Sequence, residues 1–378
     1  MKTRLFTPGP TPVPEKVALR TAQPIIHHRT AEFRLLLERV EKRLRYVFQT
    51  EREVFVLAAS GTGAMEAAVA NVLHRSARAL TVEAGKFGER WGELCVAYGV
   101  AVERKKLEWG RALTPAMMEQ FLAGAADYDA VFLTHSETST GVAVDLQAVS
   151  EVIRKRSNAL IVVDGITAVA AIPLKMDEWG VDVVVSGSQK GFMCPPGLSF
   201  IACSERAWKA VERGDLPRYY FDLRKAKKSL ADQNTPFTPA ISLLAGLDEA
   251  LAMIEEEGIE QVWRRHARLA KGTREAVKAL HLPLLAERPS DALTAVVIPD
   301  ELLDKNLVGG LKKRGFVVAG GQAKLKGKIF RISHLGYYDE EEMLTVLSAL
   351  EEVLLEVGWP IEPGTATTAF RKTVSEME

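Results

Sequence analysis

The chain has little of what would place it outside the cell, in a membrane or on a nucleic acid. Three cysteines in 378 residues, Cys95, Cys194 and Cys203, are too few and too scattered for a disulfide framework or a zinc site. No run approaches the roughly 20 apolar residues of a membrane span. The first residues, MKTRLFTPGPTPVPEK, have two early positive charges but no apolar core, and four prolines interrupt them, which argues against a signal peptide. Neither sign of charge prevails: Lys plus Arg and Asp plus Glu number 49 each, so no net field draws the protein to nucleic acid or an anionic membrane. A reducing, cytoplasmic setting is expected.

What is present is alternation. Short β-rich runs (EVFVLAA from Glu53, ALTVEA from Ala79, DAVFLTH from Asp129, ALIVVDG from Ala159, DVVVSGS from Asp182, LSFIACS from Leu198) are separated by helical stretches such as GAMEAAVANVLH and DLQAVSEVIRKRS. That pattern predicts an α/β fold with a mostly parallel sheet flanked by helices. At this length one ordinary core does not suffice. From Ile241 to about Leu280 the chain reads as helix with a break at Gly258. Beyond it, DALTAVVIP, GFVVAG and KIFRIS read as strands of a smaller α/β domain, closed by a helix that Asp339 caps. The expected division is an N-terminal segment 1–25, a large domain 26–255, a small domain 256–360 and a loosely held polar tail 361–378.

Ligands collect at the carboxyl ends of strands in parallel α/β sheets, so the residues that close each strand are the candidates for chemistry. After the first strand, Ser60-Gly61-Thr62-Gly63 leads into a helix expected near Ala64, an anion site or a plain capped turn. After ALIVV comes Asp164, either a helix N-cap or a buried carboxylate that needs a partner. After AVFLT comes HSETSTG, with hydroxyls at Thr138, Ser139 and Thr140, or simply a polar loop. After the buried-looking run Val183–Val185 comes Lys190, with Gly191 expected to leave room for a ligand and Pro195-Pro196-Gly197 to fix the exit. One cofactor uses all four: pyridoxal phosphate has a phosphate, a ring nitrogen, a phenolic oxygen and an aldehyde that condenses with a lysine.

The chain resembles the class V aminotransferases of the fold-type I pyridoxal phosphate enzymes, the alanine–glyoxylate and serine–glyoxylate branch, which includes soluble hydrogenase small-subunit-like proteins. The resemblance is nearly full length, through TPGPTPVP, HHRTAEF, SGTGAMEAA, GKFGERW, HSETSTGV, VVDGITAV, SGSQKGFMCPPG and FRISHLG. It implies Lys190 as the lysine that condenses with the cofactor and shuttles a proton, and Asp164 as the partner of the ring nitrogen. It implies Phe87 and Ile166 on the two ring faces, Thr138 at the phenolic oxygen, and Ser60, Gly61, Thr62, Ser188 and Gln189 at the phosphate. Arg331 would grip the substrate α-carboxylate, and Gly9 would line the substrate pocket. A homodimer is implied, with Thr235 or Thr238 completing the partner's phosphate site. Phe87 stands where many relatives have tryptophan, and Ser333-His334 follow Arg331-Ile332 where glycine is common, which leaves the amino donor open.

The implied activity is ping-pong transfer of an amino group from alanine, serine or aspartate to a 2-oxo acid. Two rivals are a cysteine desulfurase or lyase on the same scaffold, and a partner subunit of a larger complex. His28 and Arg29 could read a second carboxylate or merely pair at the surface.

Overall fold

The computed structural model describes residues 3–124 and 127–377. Strand β1 (Arg4–Phe6) is followed by β2 (Val54–Leu57), β3 (Arg78–Glu83), β4 (Ala101–Lys106) and β5 (Ala130–Thr134). A two-residue hairpin, β6 (Ser136–Glu137) and β7 (Val142–Ala143), precedes β8 (Leu160–Asp164), β9 (Val183–Gly187) and β10 (Ser199–Cys203). The last three are β11 (Leu293–Val297), β12 (Phe316–Gly320) and β13 (Ile329–Ser333).

The large sheet has the order β2-β10-β9-β8-β5-β3-β4, and β10 alone runs against its neighbours. Along β8, Ile161 and Val163 face one apolar core while Leu160 and Val162 face the other. In β9, Val184 faces the first core, and Val183 and Val185 the second. Continuous β-branched runs therefore mark strands covered by helices on both sides, which is why the parallel centre was legible. The edge strand β4 was not expected. Its AVERKK has no buried residue, and its place is held by ladder bonds to β3 and by cross-strand pairs, Arg104 with Glu83 and Arg78 with Glu103 at 3.1 Å.

The small sheet has the order β1-β12-β13-β11. Its first strand comes from the far end of the chain: Arg4 pairs in parallel with Phe316, and the Tyr338 hydroxyl donates to the Leu5 carbonyl at 2.7 Å. The two cores meet along one helix, Ile259–Ala279, where Val262 and Trp263 pack with the large domain and Leu269 onward with the small. Gly258 breaks the helical run as expected, at φ +84°.

The tail differs from expectation. Residues Thr365–Ser375 form a helix whose Ala366, Phe370 and Val374, four residues apart, are buried. A side chain at Gly272 would lie 2.8 Å from the Phe370 ring, so that glycine makes room for the packing. Four threonines and a single aromatic mask the stripe. Residues 1, 2 and 378 of the expected terminal segments lie outside the described residues. Among the described residues, no helix is long and apolar enough to cross a membrane.

Candidate active site

The carboxyl ends of β8 and β9, the start of the helix Gly61–Val72 and the start of the helix Lys86–Ala97 converge on a cavity of about 260 Å³. Gly9, Ser60, Gly61, Thr62, Phe87, Thr138, Asp164, Ile166, Gln189 and Lys190 all line it. Arg90 and Thr167 line it too, and neither was singled out from the sequence.

Lys190 sits just past β9 and is 8% exposed. Its ammonium donates to the Pro8 carbonyl, while Thr11 donates its hydroxyl to the Lys190 carbonyl at 3.0 Å and its N–H to the Gln189 carbonyl at 3.1 Å. The N-terminal segment thus lies along the lysine turn. A side chain at Gly9 would come within 2.3 Å of Lys190 Nζ, so only glycine leaves the lysine its place. Burial, then the charge of Arg331, lowers the Lys190 pKa to about 8, against the pull of Asp164. Gly191 serves differently from the expectation. A Cβ there would lie 2.7 Å from the Val169 carbonyl, so it admits neighbouring backbone rather than a ligand.

Asp164 closes β8 with 4% exposure. Its Oδ1 accepts from the Ile166 N–H at 2.8 Å, its one hydrogen bond to a described residue, and the turn that follows does not become an α-helix. The N-cap reading is thereby corrected: the carboxylate tightens a turn and faces the cavity. Burial raises its pKa to about 7, with the Ile166 N–H opposing and the nearby Glu137 adding to the rise. One amine and one acid in the same cavity are thus both pushed toward neutrality, a mark of chemical sites.

At the anion-site candidate, the helix begins at Gly61 rather than Ala64, and Ser60 occupies the N-cap without a side-chain cap bond. The hydroxyl is free for a ligand, and the N–H groups of Gly61 and Thr62 make no hydrogen bond to a described residue, while that of Gly63 donates to the Ser60 carbonyl at 2.8 Å. Gly61 is required by close approach, since a Cβ would lie 2.5 Å from Ile166 Cδ1. Ser188 does not join this group. Its hydroxyl donates to the Pro195 carbonyl at 2.7 Å and accepts from the Leu198 N–H at 3.2 Å, so it staples the lysine turn and has no place at a phosphate. Gln189 does line the cavity, with its Oε1 buried and unpartnered.

The hydroxyl run of HSETSTG divides in the same way. Thr138 lines the cavity and shares a 2.6 Å hydrogen bond with Thr167. Ser139 is spent on Glu137 and on the Lys86 N–H, and Thr140 on the Glu137 carbonyl. The residue overlooked in this loop is Glu137, 2% exposed. Its carboxylate accepts from the N–H groups of Phe87, Gly88 and Ser139 at 2.8–3.1 Å, occupying the start of the helix that carries Phe87. Burial raises its pKa against these bonds.

Arg331, in β13 of the small domain, is 4% exposed and does not line the cavity as it stands. Its guanidinium donates to the Gly320 carbonyl at 2.7 Å and to the Thr138 carbonyl at 2.7 Å, with no carboxylate in ion-pair contact among the described residues. Burial lowers its pKa to about 10. Carbonyls orient such a cation without neutralising it, and its bond to Thr138 ties the small domain to the cavity wall.

Thr235 and Thr238 lie elsewhere. They line a separate groove of about 40 Å³ with Tyr220 and Phe237, and Thr235 donates its hydroxyl to the Phe237 carbonyl at 2.8 Å. Neither reaches its own chain's cavity. Nor do His28 and Arg29: His28 packs its ring against His27 and Phe33, and Arg29 is exposed.

Residues 5–346 match the profile of the family described as aminotransferase class-V. The chain is 45% identical to the soluble hydrogenase small subunit of Synechococcus sp. (strain PCC 6716), over 99% of both chains. It is 36% identical to the L-aspartate–glyoxylate aminotransferase of Paracoccus denitrificans, over 97% of this chain and 95% of the other. Among solved structures it is similar to the subgroup IV aspartate aminotransferase of Thermus thermophilus, with a TM-score of 0.88 and 35% identity over 94% of this chain and 99% of that one.

Proposed function

Since the chain belongs to the class-V aminotransferases and is a transaminase, we propose that its cavity takes pyridoxal 5'-phosphate and serves transfer from a small L-amino acid to a 2-oxo acid. Alanine, serine or aspartate is the proposed donor, glyoxylate or pyruvate the acceptor. The observation that carries this is the meeting of Lys190, Asp164, Phe87, Ile166 and the start of the helix Gly61–Val72 around one cavity. The residues fit the cofactor: Gln189 brings an orphaned polar atom, Ser60 an uncommitted hydroxyl, and Gly9 the room that the Lys190 side chain needs to enter the cavity.

When bound, pyridoxal phosphate supplies an aldehyde that condenses with amines and a protonated ring that draws electrons from the substrate. Lys190, with its pKa brought to about 8, is unprotonated far more often near neutral pH than an ordinary lysine and can attack as an amine. With the cofactor in place, that same amine would be positioned to take the proton from the substrate α-carbon and to return it later in the transfer. Asp164 holds the proton at the ring nitrogen. Phe87 and Ile166 orient the ring, Thr138 meets the phenolic oxygen, and Ser60, Gly61, Thr62 and Gln189 hold the phosphate. Arg331 pairs with the α-carboxylate shared by donor and acceptor. One carboxylate site used in turn by both implies a ping-pong scheme.

A homodimer is part of the reading. The loop bearing Thr235 and Thr238 does not serve its own cavity, and beside it Tyr219 and Tyr220 are 72% and 44% exposed, which fits a loop that reaches a second copy. Sedimentation should show a dimer; a fully active monomer would overturn this. Desulfuration has no support here, because all three cysteines are buried and burial pushes each thiol up to about 12. A role as a subunit of a larger complex rests on the name of the Synechococcus relative, while Lys190, Asp164 and Arg331 favour turnover.

The test is a panel of donors against acceptors, run on wild type and on Arg331 variants. Donor alone should give its keto acid in an amount stoichiometric with enzyme, and acceptor should restart the cycle. Arg331→Ala should weaken every amino and keto acid by about 2–5 kcal/mol, the range for truncating one partner of a buried charge pair. Arg331→Lys should fall between, since it keeps charge but loses the fork. Simple amines without a carboxylate should be far less affected. Equal losses for alanine and a matched amine would make Arg331 structural, and no keto acid from any donor would overturn the function.

A further inference from the structure

A phosphate group carries nearly two negative charges at neutral pH, and burying it beside neutral donors alone leaves most of that charge uncompensated. The start of the helix Gly61–Val72 offers N–H groups and the equivalent of about half a positive charge. Of the residues that line the cavity, only Lys190 and Arg90 are cations. Lys190 is held by the Pro8 carbonyl and, in the reading above, is committed to the aldehyde. Arg331 is held by Gly320 and Thr138 and lies outside the lining.

Arg90 is placed differently. It projects from the helix Lys86–Ala97, and its Nη1 donates to the Thr62 hydroxyl at 3.1 Å, directly at the start of the phosphate-binding helix. Its guanidinium lies over the Phe87 ring at 5.0 Å from the centroid. No described carboxylate is in ion-pair contact with it, and its remaining N–H groups make no hydrogen bond to a described residue. A half-buried guanidinium is thus oriented by stacking on the Phe87 ring and by the Thr62 hydroxyl, and it lines the cavity with N–H groups uncommitted to described residues.

We infer that Arg90 is the counter-cation of the cofactor phosphate, pairing with it through the free edge of the guanidinium while Thr62 fixes the register. A planar fork matches phosphate oxygens in a way an ammonium does not. The stacking on Phe87 has a further effect: the aromatic side chain proposed to flank the ring and the cation proposed to hold the phosphate brace each other. This inference rests on the pyridoxal phosphate reading and adds a residue to it.

The test compares two aldehydes that differ only in the phosphate. Full-length protein freed of cofactor is titrated with pyridoxal phosphate and with pyridoxal, following the absorbance of the bound aldehyde. Arg90→Met keeps an unbranched apolar stem against the Phe87 ring and removes the charge; it should raise the Kd for pyridoxal phosphate by about ten- to a hundredfold, the range for losing a charge-assisted hydrogen bond. The Kd for pyridoxal should stay within about twofold, since only the phosphate contact is removed. Arg90→Lys should lie between wild type and Arg90→Met. Equal losses for both aldehydes would make Arg90 a brace for Phe87 and overturn the inference. Unchanged cofactor binding with a raised KM for a dicarboxylic donor would also overturn it, by assigning the cation to substrate. If wild type binds no pyridoxal phosphate, it is the proposed function that fails.

Discussion

Lys190→Ala should leave a folded protein that has lost turnover. The fold should survive, because the ammonium makes one hydrogen bond, to the Pro8 carbonyl, and the turn itself is held by Thr11 and Ser188 through other atoms. Loss of a positioned acid–base group alone costs about 10²–10⁴ in rate, and here the covalent attachment is lost as well. Wild type should be yellow as isolated, and borohydride should fix the pyridoxyl group on the peptide containing Lys190. Mapping the adduct to any other lysine would overturn the assignment. The alanine variant should show neither the colour nor the adduct, with its thermal unfolding otherwise like that of cofactor-free wild type.

Asp164→Ala is expected to weaken cofactor binding and to slow loss of the substrate α-proton by about 10²–10³, the scale of removing one electrostatic stabiliser from a buried site. Asp164→Glu should retain part of the rate. Exchange of the α-proton of alanine with deuterated solvent reads the step directly, and normal exchange in the alanine variant would reduce Asp164 to a turn former. The same residue has a signature in the cofactor-free protein. Its pKa is 3.8 as a free side chain and about 7 when folded, so between those values the folded chain keeps a proton that the unfolded chain has lost. Stability should therefore fall as pH rises through that window and level off above about 7. Asp164→Asn should flatten this part of the profile in urea titrations.

The residues readable from sequence are those whose role follows from a place along the chain. Lys190 and Asp164 close apolar strands, and a strand buried on both faces announces itself by an unbroken β-branched run. Arg90 and Glu137 could not be read in that way. Each sits in a stretch that looks solvated, GERW in a helix and HSETSTG in a loop, and each gains meaning only from a neighbour distant in sequence: Thr62 for one, the N–H groups of Phe87 and Gly88 for the other. Ser188 misled for the reverse reason, since its neighbours in SGSQK line the cavity while its own hydroxyl turns back to the chain's exit. The same contrast holds for the fold. Edge strand β4 is charged because only its backbone is needed, and the helix Thr365–Ser375 spends just three residues on the core it completes.

The first strand has a consequence for the order in which the protein is made. Residues 4 to 11 leave the ribosome well before Lys190, yet β1 has no sheet to join until β12 has emerged, because Arg4 pairs with Phe316. Between those two moments the segment that carries Pro8 and Gly9 is held at the lysine turn, through Thr11 and through the Pro8 carbonyl that accepts from Lys190. A nascent chain that has finished its large domain therefore has the cavity, the lysine and the aspartate, but one wall of its lysine pocket is still tethered at a single end. That wall is fixed at both ends only once β12 is there for β1 to pair with.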